Sequence, residues 1–221
     1  MKTKILYAFA LLISSMAFFS CEQNDQVYSC DPDKDTWVKQ NLKEIQKMNR
    51  QDWLNTDENL SKAIYAAFTP EQKHDFWTEK ITDVLTLNWN ERERSHIAKL
   101  LVFIEDHKDI FKAGVKDEVE IFAYKWTEYG TQELSWDVDI IYAIAFSGNK
   151  MIDKSGNLLK NQSAKIRLKT ESESYDCDCR RGSIFTCTAL EYCEKDDNCN
   201  VVVNDCGFLW MFDCNGICGI K

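Results

Sequence analysis

Residues 177–218 read CDCRRGSIFTCTALEYCEKDDNCNVVVNDCGFLWMFDCNGIC, and this stretch decides how the chain divides. It holds eight of the ten cysteines: Cys177, Cys179, Cys187, Cys193, Cys199, Cys206, Cys214 and Cys218. The other two, Cys21 and Cys30, lie near the start, with none between Cys30 and Cys177. Eight cysteines so close together in an exported chain read as a disulfide framework, with 105 possible pairings among which the spacing does not choose. Clustered thiolates also hold zinc or iron–sulfur groups. The spacings here lack a paired Cys-x2-Cys set, and no metal is expected. Size points the same way. A module of fewer than about 50 residues buries too little apolar surface to offset its chain entropy. Four crosslinks at roughly 2–4 kcal/mol each would supply the missing stability. Cys177 and Cys179 are too close to pair easily with each other, so each is expected to reach a distant partner.

Inside this framework, Gly207-Phe208-Leu209-Trp210-Met211-Phe212 runs apolar between Cys206 and Cys214. Two readings compete. Trp210 and Phe212 make a mini-core, or the run is an exposed apolar loop that meets a protein or membrane partner. Phe208, Trp210 and Phe212 are the candidate partner-binding residues on the second reading. From Tyr175 to Lys221 there are eight acids against four bases, which argues against a cationic membrane-disrupting peptide.

Upstream of the tail the pattern is helical. Val38, Leu42 and Ile45 share one helical face. Leu60, Ala63, Ile64, Ala67 and Phe68 keep the i, i+3, i+4, i+7, i+8 spacing of an amphipathic helix. Thr69-Pro70-Glu71-Gln72 is a helix start with a capping box, opening a helix that buries Trp77, Ile81, Val84 and Leu85. Asn90 caps the next, with Glu91 and Glu93 in its first turn and Ile97, Leu100, Leu101 and Ile104 inward. Val119, Phe122 and Trp126 mark another helix, and Ser135 to Phe146 the last. The expected fold is mainly α: an N-terminal helical bundle over 35–148, then a linker over 149–176, then a small disulfide-rich module over 177–221. The linker is rich in basic residues (Lys150, Lys154, Lys160, Lys165, Arg167, Lys169), with a turn signal at Ser155-Gly156-Asn157 and room for a short hairpin. It serves as a spacer or a cleavage region. The two modules are expected to fold independently.

The N-terminus is read as a targeting segment. Lys2 and Lys4 precede an uncharged run from Ile5 to Phe19, too short for a comfortable span and fitting a signal peptide over 1–20. Ser20-Cys21 followed by polar residues fits a lipoprotein junction, with lipid on Cys21 and a tether over 21–34. The rival is ordinary cleavage after Ser15-Met16-Ala17. A lipid anchor at Cys21 places the protein in the cell envelope, at the outer membrane or surface. Loss of Lys2 and Lys4 from 27 basic residues leaves 25 against 36 acids, a net charge of −11. That balance disfavours nucleic acid as a partner.

No catalytic residue is expected, and no cofactor. There are three histidines. Glu93 and His96 form a single Glu-x-x-His, whereas di-iron bundles need two copies, so the pair is read as a surface helix turn. His74 beside Asp75 and His107 beside Asp106 read as solvated pairs. No Gly-x-Ser-x-Gly, His-Glu-x-x-His or phosphate-binding glycine loop occurs.

The opening Cys177-x-Cys179, the regular Cys187, Cys193 and Cys199, Cys206-Gly207 with Trp210 three residues on, and Cys214-Asn215-Gly216 together resemble the fulvocin C-related bacteriocin-like lipoproteins of Bacteroidota. The resemblance covers the last fifth of the chain. The spacing Cys214-x3-Cys218 is wider, and the tail more acidic, than that pattern. The resemblance implies an exported bacteriocin-like protein with a helical carrier domain and a disulfide-stapled effector tail, released by cleavage or retained. The alternative of a different class is a surface-display or binding lipoprotein without toxic activity. Neither is an enzyme, and the tail's target is a protein or membrane that the residues do not name.

Overall fold

The computed structural model describes residues 26–29, 31–112, 117–159, 175–182, 187, 191–196 and 199–220. The signal segment 1–20, Cys21, Cys30 and linker residues 160–174 lie outside the described residues. Among the described residues there are seven α-helices: α1 (Pro32–Ile45), α2 (Arg50–Leu54), α3 (Glu58–Ala66), α4 (Pro70–Leu85), α5 (Glu91–Asp106), α6 (Asp117–Glu133) and α7 (Val138–Ala145). None is long and apolar enough to cross a membrane.

The helix starts follow from local side-chain chemistry. Thr69 accepts the Gln72 N–H while the Gln72 side chain accepts the Thr69 N–H, closing a capping box on α4. Asn90 and Glu93 do the same for α5, and Asn49 and Asp52 for α2. The box on α2 opens a single five-residue helix. Asp31 accepts the N–H groups of Asp33 and Lys34, so α1 begins at Pro32 and the expected tether ends early. Tyr28 and Ser29 are already buried, with the Tyr28 N–H on Asp35 Oδ1 at 2.8 Å.

The stripes named from the sequence are inside. Val38, Ile45, Ile64, Trp77, Ile81, Ile97, Leu100, Ile104 and Val119 are essentially inaccessible. Residues 149–159, expected as exposed linker with room for a short hairpin, form that hairpin and rest partly on the helices, with Ile152 and Leu159 exposed. Met151 pairs with Leu158 in an antiparallel bridge across the Ser155-Gly156-Asn157 turn, and Met151 is buried. Lys154 reaches Glu93 at 3.0 Å.

Among the described residues the tail is strand-built, in three two-stranded pieces. β1 (Tyr175–Asp176) runs parallel to β3 (Cys199–Asn200); β2 (Glu191–Glu194) runs antiparallel to β6 (Ile217–Ile220); and β4 (Val202–Cys206) runs antiparallel to β5 (Phe212–Cys214). Four disulfides cross-link them: Cys177–Cys199, Cys179–Cys193, Cys187–Cys218 and Cys206–Cys214. Cys177 and Cys179 each reach a distant partner. Cys193 and Cys218 face each other in register, yet each bonds elsewhere.

Helices and tail share one hydrophobic core. Phe208, Leu209, Trp210, Met211 and Phe212 join the same buried cluster as Trp53, Tyr65, Phe76, Trp77 and Phe146. The expectation of two modules with separate cores is therefore corrected. Among the described residues, the tail's own cluster is Cys177, Cys206 and Cys214, with Cys199 and Val202 against them. A segment with so little interior lowers its free energy by placing its aromatic side chains in a neighbour.

Candidate functional site

The seam between tail and helices carries the densest chemistry. A 3-10 turn (Phe208–Trp210) at the tip of the β4–β5 loop projects into the bundle. Trp210 lies edge-on to Tyr65 (4.8 Å between ring centroids), Trp77 (5.7 Å) and Trp53 (5.8 Å), with Phe76 tilted at 6.1 Å. Its indole N–H donates to the Phe146 carbonyl at 2.9 Å, satisfying the one polar group a buried tryptophan carries. The Lys62 ammonium sits 4.1 Å from the Trp210 ring centroid. Phe208 fills a second hollow, 5.6–6.1 Å from the rings of Phe146, Trp126 and Phe122.

Phe208, Trp210 and Phe212 are 2%, 7% and 5% exposed. The exposed-loop reading is corrected on that ground, and so is the mini-core reading, because these side chains fill the helical core rather than the tail's. The sequence showed an apolar run without an interior. It did not show that the interior belonged to the helices.

Charge fixes the seam at its edges. Asp205, buried beside Cys206, lies 3.5 Å from the Lys62 ammonium, which also donates to the Asp205 carbonyl. Lys73 is held below its ordinary pKa by burial, an effect the Asp205 charge opposes. On the far side Arg180 bonds Glu120 at 2.7 Å and stacks 3.8 Å over the Phe212 ring. Beneath the seam, Arg50 and Lys80 are fully buried cations that sequence reading did not single out. Arg50 bonds Asp83 at 2.7 Å and the Gly148 carbonyl at 3.2 Å, and Lys80 donates to the Asn149 carbonyl. Burial, and then the Arg50 charge, push Lys80 well below the usual lysine pKa. These two cations tie the chain end after α7 to α2 and α4.

Along the seam runs an open groove of about 530 Å³. Ala123, Phe146, Phe208 and Phe212 give it an apolar floor, and Glu120, Glu128 and Arg180 a charged rim. Its walls come from both α6 and the tail, so neither part forms it alone. The hydroxyls of Thr127 and Thr131 donate to backbone carbonyls one turn back. Tyr124, exposed on the rim, donates to Glu128 at 3.2 Å. This lining suits binding.

The histidines are structural in different ways. His96 is not on a surface turn: it is 4% exposed and stacks on Trp126 at 4.9 Å, within 12° of parallel. Its Nε2–H donates to the Trp126 carbonyl at 2.9 Å, while the Trp126 indole donates to the His96 carbonyl at 3.2 Å. Burial drives its pKa down to about 4. Glu93 points elsewhere, to the α5 cap and Lys154, so the Glu-x-x-His spacing assembles no shared site. His107 lies 3.0 Å from Glu118 rather than beside Asp106 as a solvated pair. His74 does meet Asp75, at 3.1 Å. The sulfurs of Cys179, Cys187 and Cys193 lie within 4.8 Å of one another. All three are in disulfides, and a metal would need them reduced to thiolates.

No protein-family model, no curated protein and no solved structure matches this chain.

Proposed function

We propose that this chain is an exported, envelope-tethered, non-enzymatic binding protein. The tail and helices act as one unit that presents the groove between α6 and the tail. The observation that carries this reading is Trp210, seated among four aromatic side chains of the helices and hydrogen-bonded to Phe146. A tail meant for release would have to withdraw that side chain from the core, at a cost of several kcal/mol. The lipid anchor at Cys21 belongs to the same proposal, and rests on the Ser20-Cys21 junction.

The second reading is a bacteriocin-like protein, supported by the fulvocin C-like spacing of the tail cysteines. Here cleavage in the basic stretch around Lys165 and Arg167 frees an effector. One experiment separates the two. A specific protease site placed within residues 160–174 is cut in the oxidised, full-length protein, followed by gel filtration without reductant. A display protein keeps its fragments together, because the seam holds without the linker. Separation of the tail, with growth inhibition by the freed fragment, would overturn the display reading. In cells, Cys21→Ser is expected to move the protein from the membrane fraction to the soluble one. Unchanged fractionation would remove the lipid anchor from the proposal.

A further inference from the structure

The four bridges present a selection problem. Eight free thiols allow 105 complete pairings. Chain proximity does not pick the one observed. Cys187, Cys193, Cys199 and Cys206 follow one another at intervals of six, six and seven residues. Loop-closure entropy favours joining such neighbours at least as well as joining cysteines further apart. None of those neighbour pairs is made: the observed bridges span 22, 14, 31 and 8 residues. Among the described residues, burial within the tail offers little to pick it either. The tail's separate cluster consists of three cysteines, with Cys199 and Val202 beside them.

Contacts from outside the tail are positioned to supply the selection. Lys62 of α3 holds Asp205, the residue before Cys206. The helical socket holds Trp210, midway between Cys206 and Cys214. Glu120 of α6 holds Arg180, the residue after Cys179. The loop backbone shows the same dependence. Leu209 and Trp210 have φ of 50° and 51°, a left-handed region that side-chain-bearing residues seldom adopt unaided. Docking compensates for that conformation.

We infer that the helical region is a folding template for the tail, selecting its disulfide pairing. The reduced β4–β5 loop docks first, through Phe208 and Trp210, and brings the Cys206 and Cys214 thiols together. Once that bridge exists, six thiols remain and the possibilities fall from 105 to 15. Arg180 on Glu120 then positions Cys179 for Cys193. The template is not the oxidant. For each bridge, two thiols lose two protons and two electrons to an oxidised low-molecular-weight disulfide, which leaves as two thiols. The helices determine which sulfurs meet.

The test uses the full chain, reduced and unfolded, then refolded in a mixture of oxidised and reduced low-molecular-weight thiol. Samples are quenched by alkylation and their bridges mapped by mass spectrometry, with helix content followed by circular dichroism. The wild-type chain is expected to form Cys206–Cys214 first and to end mainly with the four observed bridges. Trp210→Ala should slow that first bridge at least about fivefold and leave scrambled isomers, because the loop has lost its anchor. Lys62→Ala removes the contacts of its ammonium to Asp205 and to the Trp210 ring while leaving Trp210 and its aromatic socket in place. It should show a smaller loss in the same direction, and it decides the question if Trp210→Ala loses its helix signal. Wild-type order, rate and yield in Lys62→Ala, or in a helical Trp210→Ala, would overturn the template.

Discussion

At the scale of single residues, Trp210 is a side chain that belongs to the tail by sequence and to the helices by packing. Trp210→Ala in the oxidised protein would leave a cavity lined by Trp53, Tyr65, Phe76 and Trp77, whose rings are themselves buried and little able to collapse. The expected loss is about 3–5 kcal/mol, read from denaturant unfolding; a loss below about 1 kcal/mol would mean the socket does not hold the tail. His96 gives a second residue-scale outcome, in the acid response. Its pKa is about 4 in the folded protein against the ordinary 6.5, with burial as the first cause. The unfolded chain therefore binds more protons between those values, and stability falls as pH drops from about 6.5 to about 4, levelling below. The amount is on the order of 3 kcal/mol. Glu93 and Asp35 are shifted below the usual carboxylate range, so their contribution is lost at lower pH, after that of His96. His96→Gln keeps an N–H donor for the Trp126 carbonyl and should flatten the stability curve between pH 6.5 and 4. An unchanged slope there would assign the acid response to other groups.

At the scale of elements, the helices were legible because their determinants are local. Thr69 and Gln72, or Asn90 and Glu93, lie three residues apart and settle where a helix begins without reference to the rest of the chain. Thr69→Ala should cost about 1 kcal/mol, measured as a lower midpoint in urea. The apolar stripes of α4 and α5 were equally readable, since a period near 3.6 needs no knowledge of the partner. The disulfides were legible as a set of four, though not as pairs, because pairing depends on which strands meet. What sequence hid were contacts between distant segments: Arg50 and Lys80 reaching the backbone at 148–149, His96 under Trp126, and the groove, whose floor joins residues 123 and 212. Gly148 belongs to the same hidden class. A Cβ there would lie 2.7 Å from Phe76 and 2.8 Å from Trp210, both ring atoms locked in the core. Gly148→Ala should therefore destabilise by about 1–3 kcal/mol through overpacking. An unchanged melting temperature would show that the chain after α7 can shift away from the seam.

At the scale of the whole molecule, the question is what the helices are without the tail. The sequence predicts a self-sufficient bundle, and α1 to α5 and α7 each have a side-chain cap and buried residues. The packing adds a condition, because the stripes of α4 and α6 converge on side chains contributed from residues 208–212. A chain ending at Leu159 would expose Trp53, Tyr65, Phe76 and Trp77 on one side of the socket, and Phe122, Trp126 and Phe146 on the other. It would keep the caps and the helix-to-helix contacts of α4 with α5, so helical circular dichroism should persist. The tertiary packing should not persist to the same degree. The truncated chain is expected to melt at lower temperature and over a broader range than the full oxidised protein, and to bind a hydrophobic dye that the full protein does not bind, as chains with secondary structure but incomplete side-chain packing do. Adding the separately produced, oxidised tail should narrow the transition and displace the dye, since ligation of the folded state raises its apparent stability. If the truncated chain instead melts as sharply and as high as the full protein without binding dye, the aromatic cluster closes over the empty socket. Trp210 would then be a passenger in the core rather than one of its supports.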